Sequence, residues 1–134
     1  MPMQCSVCII DDDLVSQFAT RYCIEQQEGS FDITTCGSAE EGLLYCAKLL
    51  EDKKELPDII FLDLIMGDMN GWAFLENLRL ISEGHRQPKI YVLSAFTNSK
   101  DRAIAKENPL ISGYFDKPLT KTSLEKVFPR KIVK

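Results

Sequence analysis

The chain has 134 residues, of which 45% are hydrophobic and 27% charged, as expected for one soluble globular domain with a proper core. The formal net charge of −4 argues against non-specific binding to nucleic acid or to an anionic membrane. No apolar run approaches the ~20 residues of a membrane span, and no signal-peptide pattern opens the chain. We therefore expect a cytoplasmic protein with neither nucleic-acid nor membrane partners. We interpret the basic residues near the C-terminus as a solvated end: Lys121, Lys126, Arg130, Lys131 and Lys134.

The first half of the chain alternates strand-like and helix-like runs. The apolar run Ser6–Ile10 predicts a strand, and Leu14–Gln27 has apolar residues at helical spacing, with Gly29 as a natural stop. Phe31–Cys36 alternates like a second strand. Ser38 followed by Glu41 is a capping-box pattern, which predicts a helix from there to about Lys53.

The second half repeats the same alternation. Its predicted strands are Asp58–Leu62, Lys89–Ser94 and Gly113–Asp116. Its predicted helices are Gly71–Ile81, Ser99–Glu107 and Thr122–Phe128. Five strand–helix repeats predict an α/β fold, a doubly wound parallel sheet with helices on both faces. We expect a single domain over 1–134, with its core at about 5–128 and no output domain.

Reactive side chains follow four of the five predicted strands. They are Asp11 and Asp12 after the first strand, Asp63 after the third, Ser94 at the end of the fourth, and Lys117 after the fifth. Sites in such folds lie at the carboxyl ends of the strands, so these groups are expected to converge. Clustered carboxylates suit Mg²⁺, which prefers hard oxygen ligands, and a lysine and a hydroxyl suit a phosphoryl group. The residues alone therefore indicate a Mg²⁺-assisted phosphoryl site on an aspartate.

Each of these signals has a simpler explanation when it is taken alone. An aspartate after a strand is most often a helix cap, and Asp12 or Asp13 could cap the first helix. The five cysteines have such an explanation too, because C-x-x-C spacing on a strand, as in Cys5 and Cys8, puts the thiols on opposite faces. We expect all five to be reduced. The argument for a site depends on four strand ends carrying reactive groups together.

The four segments CIIDDD, IIFLDLIMGDMNGWAFL, YVLSAF and YFDKPL resemble, in this order, the receiver domain of two-component response regulators. The resemblance covers Cys8 to Phe128 and implies a five-stranded, flavodoxin-like sheet in the order 2-1-3-4-5. It also implies a stand-alone receiver. Its partners would be a histidine kinase or a histidine phosphotransfer protein, and a downstream protein that binds the surface of helix 4, strand 5 and helix 5.

The resemblance also implies a role for each site residue. Asp63 would accept the phosphoryl group and contribute to the Mg²⁺ site. Asp12 would bind Mg²⁺ directly, with Asp11 helping through the metal's water shell, and the backbone carbonyl of Ile65 would be a further ligand. Ser94 and Lys117 would bind phosphoryl oxygens. Ser94 and Tyr114 would form the conformational switch, and the peptide bond before Pro118 would be cis. The sequence departs from the family pattern at Gly67, where the family usually has proline.

Three alternatives to a phosphorylated receiver deserve tests. A haloacid-dehalogenase-type phosphatase would use Asp11 as its nucleophile, but it leaves Asp63 and Lys117 unexplained. A flavodoxin-like electron carrier would need a phosphate loop where this chain has three aspartates. A receiver-like binding module would keep the fold without being phosphorylated.

Overall fold

Five parallel strands form one sheet in the order β2-β1-β3-β4-β5, which confirms the predicted fold class. The computed structural model describes residues 4–64, 70–94, 103–104, 106–117 and 119–128, with Ser94 described by its backbone only. The strands are β1 (Gln4–Ile10), β2 (Ser30–Cys36), β3 (Ile59–Asp63), β4 (Lys89–Ser94) and β5 (Gly113–Asp116). The register pairs Ile10 with Leu62, so the next residues along the chain, Asp11 and Asp63, lie side by side where β1 and β3 end.

Three longer helices and a short C-terminal helix accompany the sheet. They are α1 (Leu14–Glu25), α2 (Ala39–Glu51), α3 (Gly71–Ile81) and the C-terminal helix (Lys121–Leu124). The bounds of α3 are those predicted, whereas the C-terminal helix is shorter than the predicted Thr122–Phe128 and continues only as turns. Of the predicted helix Ser99–Glu107, the described residues 103–104 and 106–107 are helical.

Side chains cap the helices where the sequence indicated. The Asp13 carboxylate accepts the backbone N–H of Val15 at 3.0 Å and is the N-cap of α1. Ser38 accepts the N–H of Glu41 at 3.0 Å, while the Glu41 carboxylate accepts the N–H of Gly37 at 2.8 Å, one residue earlier than in a standard capping box. Because Asp13 is the cap, Asp11 and Asp12 are left available to the sheet edge.

Each face of the sheet has its own hydrophobic cluster, which confirms the prediction of helices on both faces. Cys8 and Ile10 of β1 point into the cluster that packs against α2 and α3. Val7 and Ile9 point into the opposite cluster, which includes Ile24 of α1 and Leu124 of the C-terminal helix. The alternation follows from the two-residue period of a strand.

The apolar stripe that predicted α1 does not face the core. Leu14, Val15, Phe18 and Tyr22 are 64–75% exposed, whereas the buried residues of the helix are Gln17, Thr20 and Ile24. The stripe correctly predicts a helix, but an amphipathic pattern cannot by itself tell which face is buried. In α3, by contrast, the apolar residues Leu75 and Leu78 are buried, and only Ile81 at the end of this helical face is exposed, at 37%.

The cysteines behave as the sequence indicated, since all five lie within the described residues and are free thiols. Cys5 and Cys8 contact opposite hydrophobic clusters, as predicted from their spacing on a strand. Across the described part of the chain, no helix has both the length and the apolar character that a membrane crossing requires.

Candidate acidic site at the carboxyl edge of the sheet

Three carboxylates meet where β1 and β3 end. One oxygen each from Asp11, Asp12 and Asp63 can be chosen so that all three lie within 4.8 Å of one another. Asp11 is 1% exposed and Asp63 is 6% exposed, whereas Asp12 is exposed to solvent. Two buried carboxylates at this separation repel each other strongly and need a compensating positive charge.

Lys117 supplies a positive charge to both buried carboxylates. Its Nζ lies 2.8 Å from Asp11 Oδ2 and 3.1 Å from Asp63 Oδ2, and its side chain is 20% exposed. Burial alone would lower the pKa of this ammonium. The hydrogen bond to Asp11 and the charges of both carboxylates outweigh that effect, so the pKa of Lys117 is raised above its usual value. The lysine therefore stays protonated throughout the physiological range.

Asp11 is fixed by contacts that the sequence analysis did not predict. Its Oδ1 accepts the N–H of Asp13 at 2.9 Å, and its Oδ2 accepts the hydroxyl of Ser16 at 2.5 Å. Gln17 donates its amide to the Asp11 backbone carbonyl at 2.6 Å. The sequence gives no signal for these contacts, because Ser16 and Gln17 lie on the polar side of α1, which an amphipathic pattern predicts to be solvated.

A close contact at the start of α3 fixes the backbone of Asp63. The N–H of Gly71 donates to the Leu64 carbonyl at 3.0 Å, and Asn70 caps the helix by accepting the N–H of Ala73 at 2.9 Å. A Cβ on Gly71 would lie 2.9 Å from the carbonyl oxygen of Asp63 and 2.7 Å from the Leu64 Cα. Only glycine allows α3 to begin this close to the end of β3.

The remaining predicted site residues are placed to different extents. The backbone of Ser94 pairs with Asp116 at the end of the sheet, one residue beyond the Asp63–Leu93 pair. Tyr114 packs against the cluster shared with α2 and α3, and its hydroxyl donates to Asp116 at 2.7 Å. Ile65, Gly67 and Pro118 lie outside the described residues, so their predicted roles stay predictions.

The donor set fits a hard divalent cation. Three carboxylate oxygens, two of them buried, are ligands that Mg²⁺ accepts well, and each of the three aspartates can offer one. A sheet edge that combines these oxygens with an ammonium can hold a cation and an anionic phosphoryl group next to each other. The site is therefore suited to phosphoryl chemistry at Asp63.

Comparison with known proteins defines the class. The family model described as response regulator receiver domain matches residues 7–128, so the chain belongs to this family. Receiver domains are signalling domains of two-component systems that bind Mg²⁺ at an acidic pocket and interact with histidine kinases and phosphotransfer proteins. Membership favours the receiver over the phosphatase and the electron carrier.

Individual relatives support the same class. An uncharacterized 14.6 kDa protein of Leptolyngbya boryana is 31% identical over 84% of this chain and 76% of its own length. The two-component response regulator ARR11 of Arabidopsis thaliana is 32% identical over 59% of this chain, which corresponds to 14% of ARR11. The crystal structure of a two-component response regulator from Cytophaga hutchinsonii superposes with a TM-score of 0.78 at 26% identity, covering 96% of both chains. A two-component response regulator from Legionella pneumophila gives a TM-score of 0.75 at 27% identity, over 92% of this chain and 95% of that one.

Proposed function

We propose that the chain receives a phosphoryl group on Asp63 from a histidine kinase or a histidine phosphotransfer protein. One observation carries the proposal. The buried Asp63 carboxylate ends a central strand with the ammonium of Lys117 at 3.1 Å and the carboxylates of Asp11 and Asp12 close by. A carboxylate in such a setting can act as a nucleophile, because its partners balance the charge that the phosphoryl group brings.

A carboxylate oxygen of Asp63 attacks phosphorus, the bond from phosphorus to the donor histidine nitrogen breaks, and the imidazole leaves with that electron pair. The product is an acyl phosphate. Asp11, Asp12, Asp63 and the backbone carbonyl of Ile65 would hold Mg²⁺, which would supply positive charge to the phosphoryl oxygens when bound. Lys117 turns its ammonium toward the same oxygens.

A switch would pass this event to the surface. We infer that Ser94 turns its hydroxyl to a phosphoryl oxygen, and that Tyr114 fills the space that the hydroxyl leaves. A cis peptide before Pro118 would let Lys117 reach the site. The surface formed by the predicted helix Ser99–Glu107, β5 and the C-terminal helix would then bind a downstream protein. The half-buried Tyr114 supports this, because its ring packs on the core while its hydroxyl reaches Asp116 near the surface.

The exposed stripe of α1 is the surface that we propose for the phosphohistidine donor. Leu14, Val15, Phe18 and Tyr22 form it, and it begins three residues after Asp11, at the rim of the acidic site. A donor has to bring its histidine to that rim, so its own surface has to cover adjoining parts of this chain. A donor with an apolar patch on its surface would match a helix that leaves four large apolar side chains exposed.

Phosphorylation with a small donor tests the site. The protein is incubated with Mg²⁺ and acetyl phosphate, and the acyl phosphate is trapped by borohydride reduction and mapped by mass spectrometry. We expect modification of Asp63, no modification of Asp63→Asn at that position, and normal modification of the control Asp58→Asn at the opposite edge. Modification of Asp11 would instead support the phosphatase, and an unmodified wild type would support the binding module.

A second comparison tests the donor surface separately. Phe18→Ala is compared with Leu44→Ala, which removes an equally exposed apolar side chain from α2. We expect Phe18→Ala to slow transfer from a phosphorylated histidine phosphotransfer protein about tenfold, and to leave the reaction with acetyl phosphate unchanged. Equal transfer rates for the two variants would contradict the proposed surface.

A further inference from the structure

Every polar atom of Asp11, in the backbone and in the side chain, forms a hydrogen bond or an ion pair with a neighbouring residue. Its N–H donates to the Cys36 carbonyl at 3.0 Å and its carbonyl accepts the Gln17 amide. Its Oδ1 accepts the Asp13 N–H, and its Oδ2 accepts both the Ser16 hydroxyl at 2.5 Å and the Lys117 ammonium at 2.8 Å. Oδ2 is therefore the oxygen that faces the site, and it has two side-chain donors.

These two donors differ in what they do during the proposed reaction. Lys117 also contacts Asp63 and is the group expected to turn toward the phosphoryl oxygens, so its bond to Asp11 is temporary. Ser16 is the third residue of α1, and the backbone of that helix is anchored at its N-cap by Asp13. Its hydroxyl therefore stays beside Oδ2 when the lysine moves.

We propose that Ser16 is a positioning residue for the metal site, whose hydroxyl keeps Asp11 Oδ2 directed at the place where Mg²⁺ binds. This inference rests on the proposed function, because it assigns Asp11 to the metal. A short hydrogen bond from a hydroxyl to a carboxylate is among the stronger ones in proteins, and it fixes the direction of the oxygen's lone pairs. Groups that orient metal ligands in this way change metal affinity typically 10–100-fold when they are removed.

The test is the Mg²⁺ affinity of the full chain, measured by isothermal titration calorimetry without any phosphodonor. We expect Ser16→Ala to bind Mg²⁺ about tenfold more weakly than wild type. Ser16→Thr, which keeps the hydroxyl, should restore the affinity to within about threefold of wild type. Alanine is a better helix former than serine, so α1 should stay folded in Ser16→Ala. Ser16→Cys keeps the size with a much weaker donor and should resemble the alanine variant.

A matched control separates metal binding from stability. Ser82 is buried at the end of α3, where its hydroxyl donates to the Leu78 carbonyl at 2.6 Å, near the opposite edge of the sheet. Ser82→Ala should lower stability and leave the Mg²⁺ affinity unchanged. If Ser16→Ala binds Mg²⁺ within twofold of wild type, the inference about Ser16 is overturned while the proposed function stands. If wild type itself binds no Mg²⁺, and Asp63 accepts no phosphoryl group, the proposed function fails.

Discussion

Replacing Asp63 by asparagine should stabilise the metal-free protein, although it removes an ion pair. Lys117 attracts the Asp63 carboxylate across 3.1 Å, which is worth about 5 kcal/mol at an effective dielectric of about 20. Asp11, at most 4.8 Å away, repels it by about 3.5 kcal/mol, and the exposed Asp12 adds a smaller repulsion. Attraction and repulsion therefore nearly cancel.

The cost of burying the Asp63 charge decides whether Asp63→Asn is more or less stable than wild type. Asp63 is 6% exposed, and desolvation of a buried carboxylate costs several kcal/mol, which the charges of Lys117, Asp11 and Asp12 together do not offset. Asparagine has nearly the same shape, and its amide oxygen can still accept the hydrogen bond from Lys117. Allowing for that bond, we expect Asp63→Asn to raise the free energy of unfolding by about 2 kcal/mol, or the melting temperature by about 6 °C.

Urea unfolding in EDTA, followed by circular dichroism, measures this difference. At saturating Mg²⁺, the stability advantage of Asp63→Asn over wild type should shrink or reverse, because a bound ion stabilises wild type more than a variant that has lost a ligand. Asp58→Asn is the matched control at the other edge of the sheet. The Asp58 carboxylate accepts the Ser6 N–H and pairs with Arg86, so we expect this variant to lower the free energy of unfolding by about 1 kcal/mol. If Asp63→Asn is less stable than wild type in EDTA, the neighbouring charges do offset the cost of burying the Asp63 carboxylate, and the reasoning is wrong.

Gly71→Ala should lower both stability and the rate of Asp63 phosphorylation by acetyl phosphate, because the new methyl group would press on the Asp63 carbonyl; unchanged rates would contradict this. Burial raises the pKa of the Cys46 thiol to about 12, so in native protein at pH 8 iodoacetamide should label Cys46 at least tenfold more slowly than the half-buried Cys23, a difference that urea should abolish. Asp13→Ala removes the N-cap of α1 and should lower the free energy of unfolding in urea by about 1 kcal/mol, whereas Asp13→Ser, which can still cap the helix, should keep most of the wild-type stability.

The sheet could be predicted almost entirely from the sequence, because its signals are local. A buried strand such as Ile59–Asp63 is recognisable as a short apolar run. The first polar residue after such a run marks the end of the strand, and therefore the residue whose side chain lies at the edge of the sheet. The strand order came from the family resemblance, since apolar runs do not say which strands are neighbours. The face of α1 could not be predicted, because burial of Gln17 and Thr20 depends on the tertiary partners of the helix.

The sequence predicted which residues form the acidic site, but not the hydrogen bonds that position them. Strand ends identified Asp11, Asp63 and Lys117, and the structure brings these three into direct contact. The hydroxyl of Ser16 was missed because a serine in a helix is most often a solvated residue, and only the three-dimensional contact with Asp11 distinguishes it. The roles of these groups in phosphoryl transfer stay predictions until the acceptor is mapped.

The charge of the site explains why a bound metal ion and a phosphoryl group on Asp63 should each make the site more favourable for the other. Among the residues that the structure describes at this edge, Asp11, Asp12 and Asp63 carry three negative charges against one positive charge on Lys117, which leaves a net charge of −2. One divalent cation neutralises this, whereas a dianionic phosphoryl group on Asp63 without a cation would make the site more negative by one unit. Phosphorylation should therefore raise the affinity for Mg²⁺, and by linkage Mg²⁺ should stabilise the phosphorylated state by the same factor. A phosphorylated protein that binds Mg²⁺ no more tightly than the unmodified one would show that Lys117 alone balances the added charge.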